Sequence, residues 1–150
     1  MYFEDFIAGQ QIVTPEKKIT ALELDAFLDI FGLHLPMFVS DQGAQTNGHA
    51  QRLVPGPMIL SSAMGLVRKT GWFDHVVALL ELSDVHFEKP LYPEHPVKAA
   101  ITVRKVKRTK NPERGLVILA FKVINQNNET VLRGKGKYLI RTRNRSNAST

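Results

Sequence analysis

The segment that most constrains the fold is apolar on nearly every side. Residues 57–69 read Pro-Met-Ile-Leu-Ser-Ser-Ala-Met-Gly-Leu-Val-Arg-Lys. Proline is tolerated in the first turn of a helix and Gly71 follows as a stop signal, so this segment predicts one helix. A helix that is apolar all round has to be buried. The rest of the chain must therefore supply a surface large enough to cover it.

That cover is predicted to be an antiparallel sheet. Four stretches after the helix have strand character and are separated by turn-forming clusters: 76–87, 97–107, 116–125 and 130–141. From Val97 to Val103, apolar residues alternate with more polar ones, which is typical of an antiparallel strand with one buried face. One long helix against such a sheet predicts a single α+β domain over residues 1–141. A basic, polar and disordered tail is expected at 142–150.

A second helix is predicted upstream of these elements. Thr20 and Glu23 have the spacing of a capping box, and apolar residues then recur at helical spacing. We therefore expect a helix over 21–31 that ends at Gly32. Residues 11–19 contain a proline and fit an extended edge segment.

The passage between the two helices is rich in glycine, proline and short polar side chains. Residues 32–56 are therefore predicted to be irregular, with one helical turn near 41–45. A loop of this length inside a small domain usually has a function. We therefore expect functional residues in this passage.

Composition narrows the class of protein. The 150 residues contain no cysteine, which excludes disulfides, thiolate metal ligands and a cysteine nucleophile, and which fits a reducing compartment. No apolar run approaches the roughly 20 residues of a membrane span, and the acidic N-terminus is unlike a signal peptide. A soluble cytoplasmic protein is expected. The five histidines show no close pair at metal-ligand spacing, so no metal site is expected.

Four stretches together resemble the MaoC-like dehydratases, a family that includes R-specific enoyl-CoA hydratases. They are 27–38, 54–60, 85–93 and 114–127, and they extend over nearly the whole chain. The resemblance implies a hot-dog fold, in which a curved antiparallel sheet wraps around one long helix, and a homodimer or a heterodimer with a related chain. It also implies binding of acyl groups carried as thioesters by coenzyme A or a carrier protein, with no other cofactor.

The resemblance also identifies a changed site. The family has Gly-Asp-x-Asn-Pro-x-His where residues 32–38 read Gly-Leu-His-Leu-Pro-Met-Phe. Leu33 and Phe38 thus occupy the positions of the aspartate and histidine that act on water and proton in the family, and Leu35 occupies the asparagine position. Leucine and phenylalanine cannot transfer protons.

Binding, by contrast, does not depend on those two side chains. In the family, a backbone N–H at the start of the central helix polarises the thioester carbonyl, and Gly56 matches that position. Such an N–H needs no particular side chain. The resemblance implies contact with the substrate at Gly32, Pro36, Val54, Pro55, Gly56 and Met58.

Other side chains are candidates for the missing acid and base. Asp29 and His34 have the spacing of the family's pair but are out of register with its glycine and proline. His34 and His49 are the fallback candidates in the long loop, although a lone loop histidine is more often simply solvated. Asp84 and His86 lie two apart on a strand, share a face, and are expected at the surface or at a subunit edge.

Charge is unevenly distributed along the chain. Residues 1–95 contain 6 Lys and Arg against 12 Asp and Glu, whereas residues 96–150 contain 14 against 2. The basic half is expected either to be a solvated sheet face or to attract an anionic partner such as coenzyme A phosphates, an acidic carrier protein or nucleic acid. Its densest cluster, and the first choice for phosphate contacts, is Arg104, Lys105, Lys107 and Arg108.

Three functions remain open on the sequence alone. The first is an acyl-thioester binding protein with the hydratase fold and no dyad, acting as a non-catalytic partner subunit or a ligand sensor. The second is an active enzyme on thioesters, either a hydratase or dehydratase with substitute residues or a thioesterase. The third is a nucleic-acid binder, which only the charge favours, because few aromatic residues accompany the basic ones.

Overall fold

The long apolar helix lies against a six-stranded antiparallel sheet in the computed structural model, which describes residues 1–143. The helices are α1 (Ala21–Phe31), α2 (Pro36–Val39), α3 (Asp41–Thr46) and α4 (Gly56–Lys69). The strands are β1 (Gln11–Val13), β2 (Lys17–Lys18), β3 (Val76–Phe87), β4 (Pro96–Arg108), β5 (Arg114–Asn125) and β6 (Thr130–Arg141). The predicted α+β class is confirmed, with the long helix and the four long strands in their predicted places.

The sheet has one protected edge and one open edge. Its order is β1-β4-β5-β6-β3, and β2 also pairs with β4. The two short strands therefore cover the free side of β4, while β3 pairs with β6 alone among the strands of residues 1–143. Asp84 on β3 has φ 51, next to a register shift between Ser83 and His86. A residue in this left-handed region at a bulge increases the local twist of an edge strand.

Strand alternation separates the two faces of the sheet. On β4, the odd-numbered residues from Val97 to Val103 are all buried, and on β5 those from Val117 to Val123 are buried as well. They pack with Ile59, Ala63 and Val67 of α4 in one core cluster. The even-numbered residues of both strands consequently point to the opposite face.

α1 has the boundaries that its sequence predicts. The Thr20 hydroxyl oxygen accepts a hydrogen bond from the Glu23 N–H at 3.1 Å, and the Glu23 carboxylate accepts one from the Thr20 N–H at 3.2 Å. Gly32 ends the helix with φ 65, a conformation in which glycine has no Cβ strain. The capping box alone was sufficient to place the start of this helix.

The passage from 32 to 56 contains more structure than predicted. The expected turn is present as α3, whose first turn is capped by the Ser40 hydroxyl accepting from the Gly43 N–H at 3.0 Å. α2 was missed because Leu35 at its N-cap offers no capping side chain.

α4 is not buried all round, which corrects the expectation from its composition. Met58, Ile59, Ala63, Leu66 and Val67 are buried. A stripe on the other side is exposed, and it comprises Pro57, Ser61, Gly65 and Arg68. The sheet covers only part of the helix, so this stripe is open in a single chain.

The C-terminal end of the described chain is packed onto the domain. Thr142 is buried and its hydroxyl donates to the Pro112 carbonyl at 2.8 Å. Arg143 forms an ion pair with Asp5 at 2.5 Å. The tail predicted at 142–150 otherwise lies outside the described residues. Within residues 1–143, no helix is long and apolar enough to cross a membrane.

Candidate functional site

The first turn of α4 offers one backbone donor. Pro55 is the N-cap residue and Pro57 is the second helical residue, and neither has an N–H. The Met58 N–H donates to the Pro55 carbonyl at 3.0 Å. The Gly56 N–H therefore remains as the first-turn donor with no hydrogen-bond partner in the part of the chain that the structure describes.

A cavity of about 420 Å³ opens at this end of α4. Four of the residues singled out in the sequence line it: Phe38, His49, Val54 and Gly56. The remainder of the wall includes Leu53, Ile59 and the segment 87–91 that follows β3. Its volume is within the range of about 300 to 1,000 Å³ that is usual for small-molecule sites.

Phe87 lies at the mouth of this cavity, directly against Gly56. A Cβ atom at residue 56 would come within 2.5 Å of the Phe87 ring, so only glycine lets the ring lie over the start of the helix. The Phe87 side chain is nevertheless 53% exposed. The ring can therefore move outward without disturbing the core.

The two residues that the sequence resemblance aligned with the family's dyad are apolar and packed. Phe38 is 8% exposed, belongs to the core cluster and lines the cavity. Leu33 is partly buried, packs against the same cluster and does not line the cavity. Neither side chain can supply or accept a proton.

Three titratable side chains line the cavity. Glu88 is engaged by the Arg133 guanidinium, and Lys89 forms an ion pair with Glu129 at 2.8 Å. The hydrogen bond from Lys89 to Glu129 raises the pKa of the amine and lowers the pKa of the carboxyl, so both groups stay charged. The imidazole of His49 has no hydrogen bond to any residue in 1–143. Of the two histidines named from the sequence as candidate bases, His34 and His49, it is His49 that lines this cavity.

His34 is placed elsewhere. Its Nε2 atom lies 2.8 Å from Oδ1 of Asp29, so the substitute pair considered from the sequence does form. Both side chains are at the surface, 50% and 77% exposed, and neither lines the cavity. An exposed pair of this kind has no enclosed space in which to hold a substrate.

Four of the predicted binding positions shape the site without lining the cavity. Gly32 ends α1, and Pro36 occupies the first position of α2. Pro55 is fully buried and its carbonyl accepts from the Met58 and Ile59 N–H groups. Met58 is 7% exposed and belongs to the core cluster.

Arg52 organises the passage, and its role was missed from the sequence. Its Nη1 atom lies 2.6 Å from the Asp25 carboxylate, and its guanidinium also donates to the Phe38, Val39 and Ala21 carbonyls. The last carbonyls of a helix as short as α2 have few other donors. Partners 27 residues away in sequence give no local signal.

Replacing this guanidinium should loosen the passage. Arg52→Met is expected to lower the free energy of unfolding by about 2 kcal/mol, because charge-assisted hydrogen bonds are lost and several carbonyls lose their donor. Urea denaturation measures the change. Arg68→Met is the control, since Arg68 is 68% exposed and 3.4 Å from Asp74, and it should change the free energy by less than about 0.5 kcal/mol. Equal effects of the two changes would contradict the assigned role.

A second, smaller space lies along α4. Leu60, Ala63, Met64 and Val67 recur at helical spacing and face Tyr138 and other sheet residues around a cavity of about 20 Å³. Burial raises the pKa of Tyr138 to about 12, so its hydroxyl stays neutral. Gly56 precedes Leu60 by one helical turn, so this apolar space lies on the same face of α4 as Gly56.

The basic cluster does not belong to this site. None of Arg104, Lys105, Lys107 and Arg108 lines the cavity at Gly56. Arg104 and Lys105 face the side of the sheet away from α4, and the Arg108 guanidinium lies 5.7 Å from the Phe3 ring centroid. The expectation that this cluster would contact the phosphates of a ligand bound at Gly56 is not supported by these positions. The register shift between Val103 and Lys105, which the sequence did not reveal, decided the face.

Comparison with known proteins supports the fold that the resemblance implied. No protein-family model matches the chain. Protein MaoC of Klebsiella aerogenes is 24% identical to it over 104 residues, which is 69% of this chain and 31% of that protein. This chain therefore spans less than a third of the curated relative that it matches.

Solved structures match over more of the chain. A putative MaoC domain dehydratase from Chloroflexus aurantiacus has a TM-score of 0.90 and 21% identity over 100% of this chain and 43% of its own length. The (R)-hydratase from A. caviae, involved in PHA biosynthesis, has a TM-score of 0.73 and 19% identity over 93% of this chain and 99% of its own length. A double hot-dog protein from Mycobacterium tuberculosis, Rv0216, has a TM-score of 0.84 and 20% identity over 99% of this chain and 46% of its own length. The predicted resemblance to the MaoC-like dehydratases and the hot-dog fold are confirmed.

Proposed function

We propose that this chain binds an acyl thioester at the start of α4 and does not hydrate it. The observation that carries the proposal is the unpartnered N–H of Gly56, a residue that lines a cavity together with Phe38, whose side chain cannot transfer a proton. A fixed backbone N–H can polarise a carbonyl oxygen. Hydration of a 2-enoyl thioester also requires a base for water and an acid for the neighbouring carbon.

The acyl chain is proposed to run along α4. The face that begins at Gly56 continues through Leu60 and Met64 and is apolar throughout. The space there holds about one water molecule, so Phe87 and Met64 must move to admit a chain. Methionine has the flexible side chain that such repacking needs.

The donor role of Gly56 can be tested by its removal. Phe87→Ala makes room for a Cβ atom, and in that background Gly56→Pro should weaken binding of a saturated acyl-CoA by about tenfold relative to Gly56→Ala. Proline is tolerated at the first helical position, so the two variants differ chiefly in the N–H. Calorimetric titration gives the affinities. Equal affinities would show that this N–H does not hold the ligand.

An active enzyme is the second candidate, and the position of His49 favours it. His49 lines the same cavity as Gly56 and could act as a base in place of the missing dyad. A panel of 2-enoyl and saturated acyl-CoA substrates at high protein concentration separates the two candidates. We expect saturable binding with neither loss of the double-bond absorbance nor release of thiol. Turnover that His49→Gln abolishes would establish the enzyme instead.

We propose that the chain pairs with a second copy or a related chain along β3. This strand has 12 residues and exposes Val77, Leu79, Leu80 and Leu82. Within the described part of the chain it pairs on one side only. An open edge that is also apolar is a surface for strand addition. The exposed stripe of α4 would gain cover in the same complex. A cytoplasmic location, which the lack of cysteine favours, is part of the proposal.

A further inference from the structure

A groove crosses the face of the sheet that points away from α4. The outward residues at its centre are small, namely Ala100, Thr102 and Ala120, and longer side chains surround them. The resulting depression has a volume of about 620 Å³. A second depression of about 530 Å³ adjoins it and shares Asp84, Arg104 and Lys135. Each has the size of a small-molecule site.

The groove carries more positive charge than its acidic neighbours neutralise. Its cations are Arg104, Lys105, Lys122, Arg133, Lys135 and Lys137. The last three are paired with acidic residues of β3 or just after it: Glu88 with Arg133, Asp84 with Lys135 at 3.3 Å, and Glu81 with Lys137 at 2.9 Å. Arg104, Lys105 and Lys122 form no ion pair within residues 1–143. Arg104 and Lys122 are thus left unpaired beside the floor of small residues, and Lys105 beside the second depression.

Some of these charges are placed where they lower the stability of the sheet. Lys122 lies directly opposite Arg133 on the neighbouring strand, an arrangement of like charges that is destabilising. The Glu88 carboxylate beside Arg133 offsets part of this repulsion, whereas Lys122 forms no ion pair within residues 1–143. On β4, consecutive residues of a regular strand point to opposite faces. The register shift between Val103 and Lys105 instead brings Arg104 and Lys105 to the same depression.

We infer that this groove is a second binding site, for a small molecule that carries two or more phosphate groups. Arginine and lysine side chains bind phosphate through charge-assisted hydrogen bonds. A single-stranded nucleic acid would need Phe, Tyr or Trp platforms, and the groove residue of this kind, Phe121, is 6% exposed and belongs to the core. His86 also lines the groove and is its single imidazole among residues 1–143. The sheet separates this site from Gly56, so the inference goes beyond the proposed thioester function and does not depend on it.

Inorganic tripolyphosphate is a suitable probe, titrated calorimetrically at low salt with the full chain. The natural chain should bind it saturably, and Arg104→Gln with Lys122→Gln should weaken binding at least about tenfold. Lys18→Gln with Lys69→Gln removes the same charge from exposed lysines elsewhere and should change the affinity less than about threefold. Absence of saturable binding, or equal losses in both double variants, overturns the inference.

A single change gives an independent signature. Lys122→Glu should abolish tripolyphosphate binding and, by creating an opposite-charge pair with Arg133, raise the melting temperature by about 1 to 4 °C. If Lys122 served only to stabilise the fold, replacing it with glutamate would not raise the melting temperature. A lower melting temperature with unchanged binding contradicts the inference. Tighter binding of a single-stranded oligonucleotide than of tripolyphosphate would also contradict the inference, provided that Arg104→Gln with Lys122→Gln abolishes that binding. Such a result would assign the groove to nucleic acid.

Discussion

Leu33→Asp combined with Phe38→His is expected to raise the rate of 2-enoyl-CoA hydration on the order of 10²-fold or more above that of the natural chain. Each well-placed acid or base contributes on the order of 10² to 10⁴ in rate, and the helix-start N–H of Gly56 is already present. Loss of the double-bond absorbance measures the rate. The natural chain should be at or near background in the same assay.

Leu35→Asn should make this pair more effective. Leu35 is 46% exposed and is the N-cap of α2, where it forms no capping hydrogen bond. Asparagine is a preferred N-cap residue and should contribute about 1 kcal/mol. That gain offsets part of the stability lost when polar side chains are introduced at residues 33 and 38. It also supplies a polar neighbour for an introduced aspartate, whose pKa would otherwise rise in apolar surroundings.

The matched control is Leu33→Asn with Phe38→Gln. It introduces polar side chains of similar size that cannot transfer protons, so it should bind ligand and remain inactive. Urea denaturation of each variant separates a loss of fold from a loss of chemistry. Efficient hydration by the natural chain, lost on a change at His34 or His49, would show that a different group carries out the reaction.

Leu80→Lys combined with Leu82→Lys is expected to convert a dimer into a monomer. Both leucines are exposed on β3, 51% and 38% respectively, and charges on an edge strand oppose strand addition. Sedimentation velocity at micromolar concentration measures the change. Ile7→Lys with Val13→Lys places the same charges near the opposite edge of the sheet and should leave the dimer intact. A natural chain that sediments as a monomer would contradict the proposed pairing.

Local signals in the sequence were sufficient for the main elements. A capping box placed α1, and alternation placed β4 with its buried face. The start of α2 lacked such a signal because Leu35 cannot cap a helix. Strand boundaries follow from short-range residue patterns, which can be recognised without knowing which elements pack together.

The arrangement of the site depended on contacts between distant residues. Phe87 reaches Gly56 from 31 positions away, and Arg52 reaches Asp25 from 27. The face of Arg104 and Lys105 was set by a one-residue register shift that no local pattern marks. Phe38, His49, Val54 and Gly56 were brought to one cavity, whereas His34 was not. Sequence reasoning identified most of these residues but not their grouping.

The uncovered β3 edge has a consequence for the chain before it meets a partner. Newly made protein presents the outward-pointing backbone donors and acceptors of a 12-residue strand beside exposed leucines, which is also the signature of an aggregation template. Yield of intact protein should then depend on how quickly the partner is encountered rather than on the stability of the single domain. If that partner is a different chain, the two would have to be synthesised together, and their relative abundance would set how much of this one survives quality control.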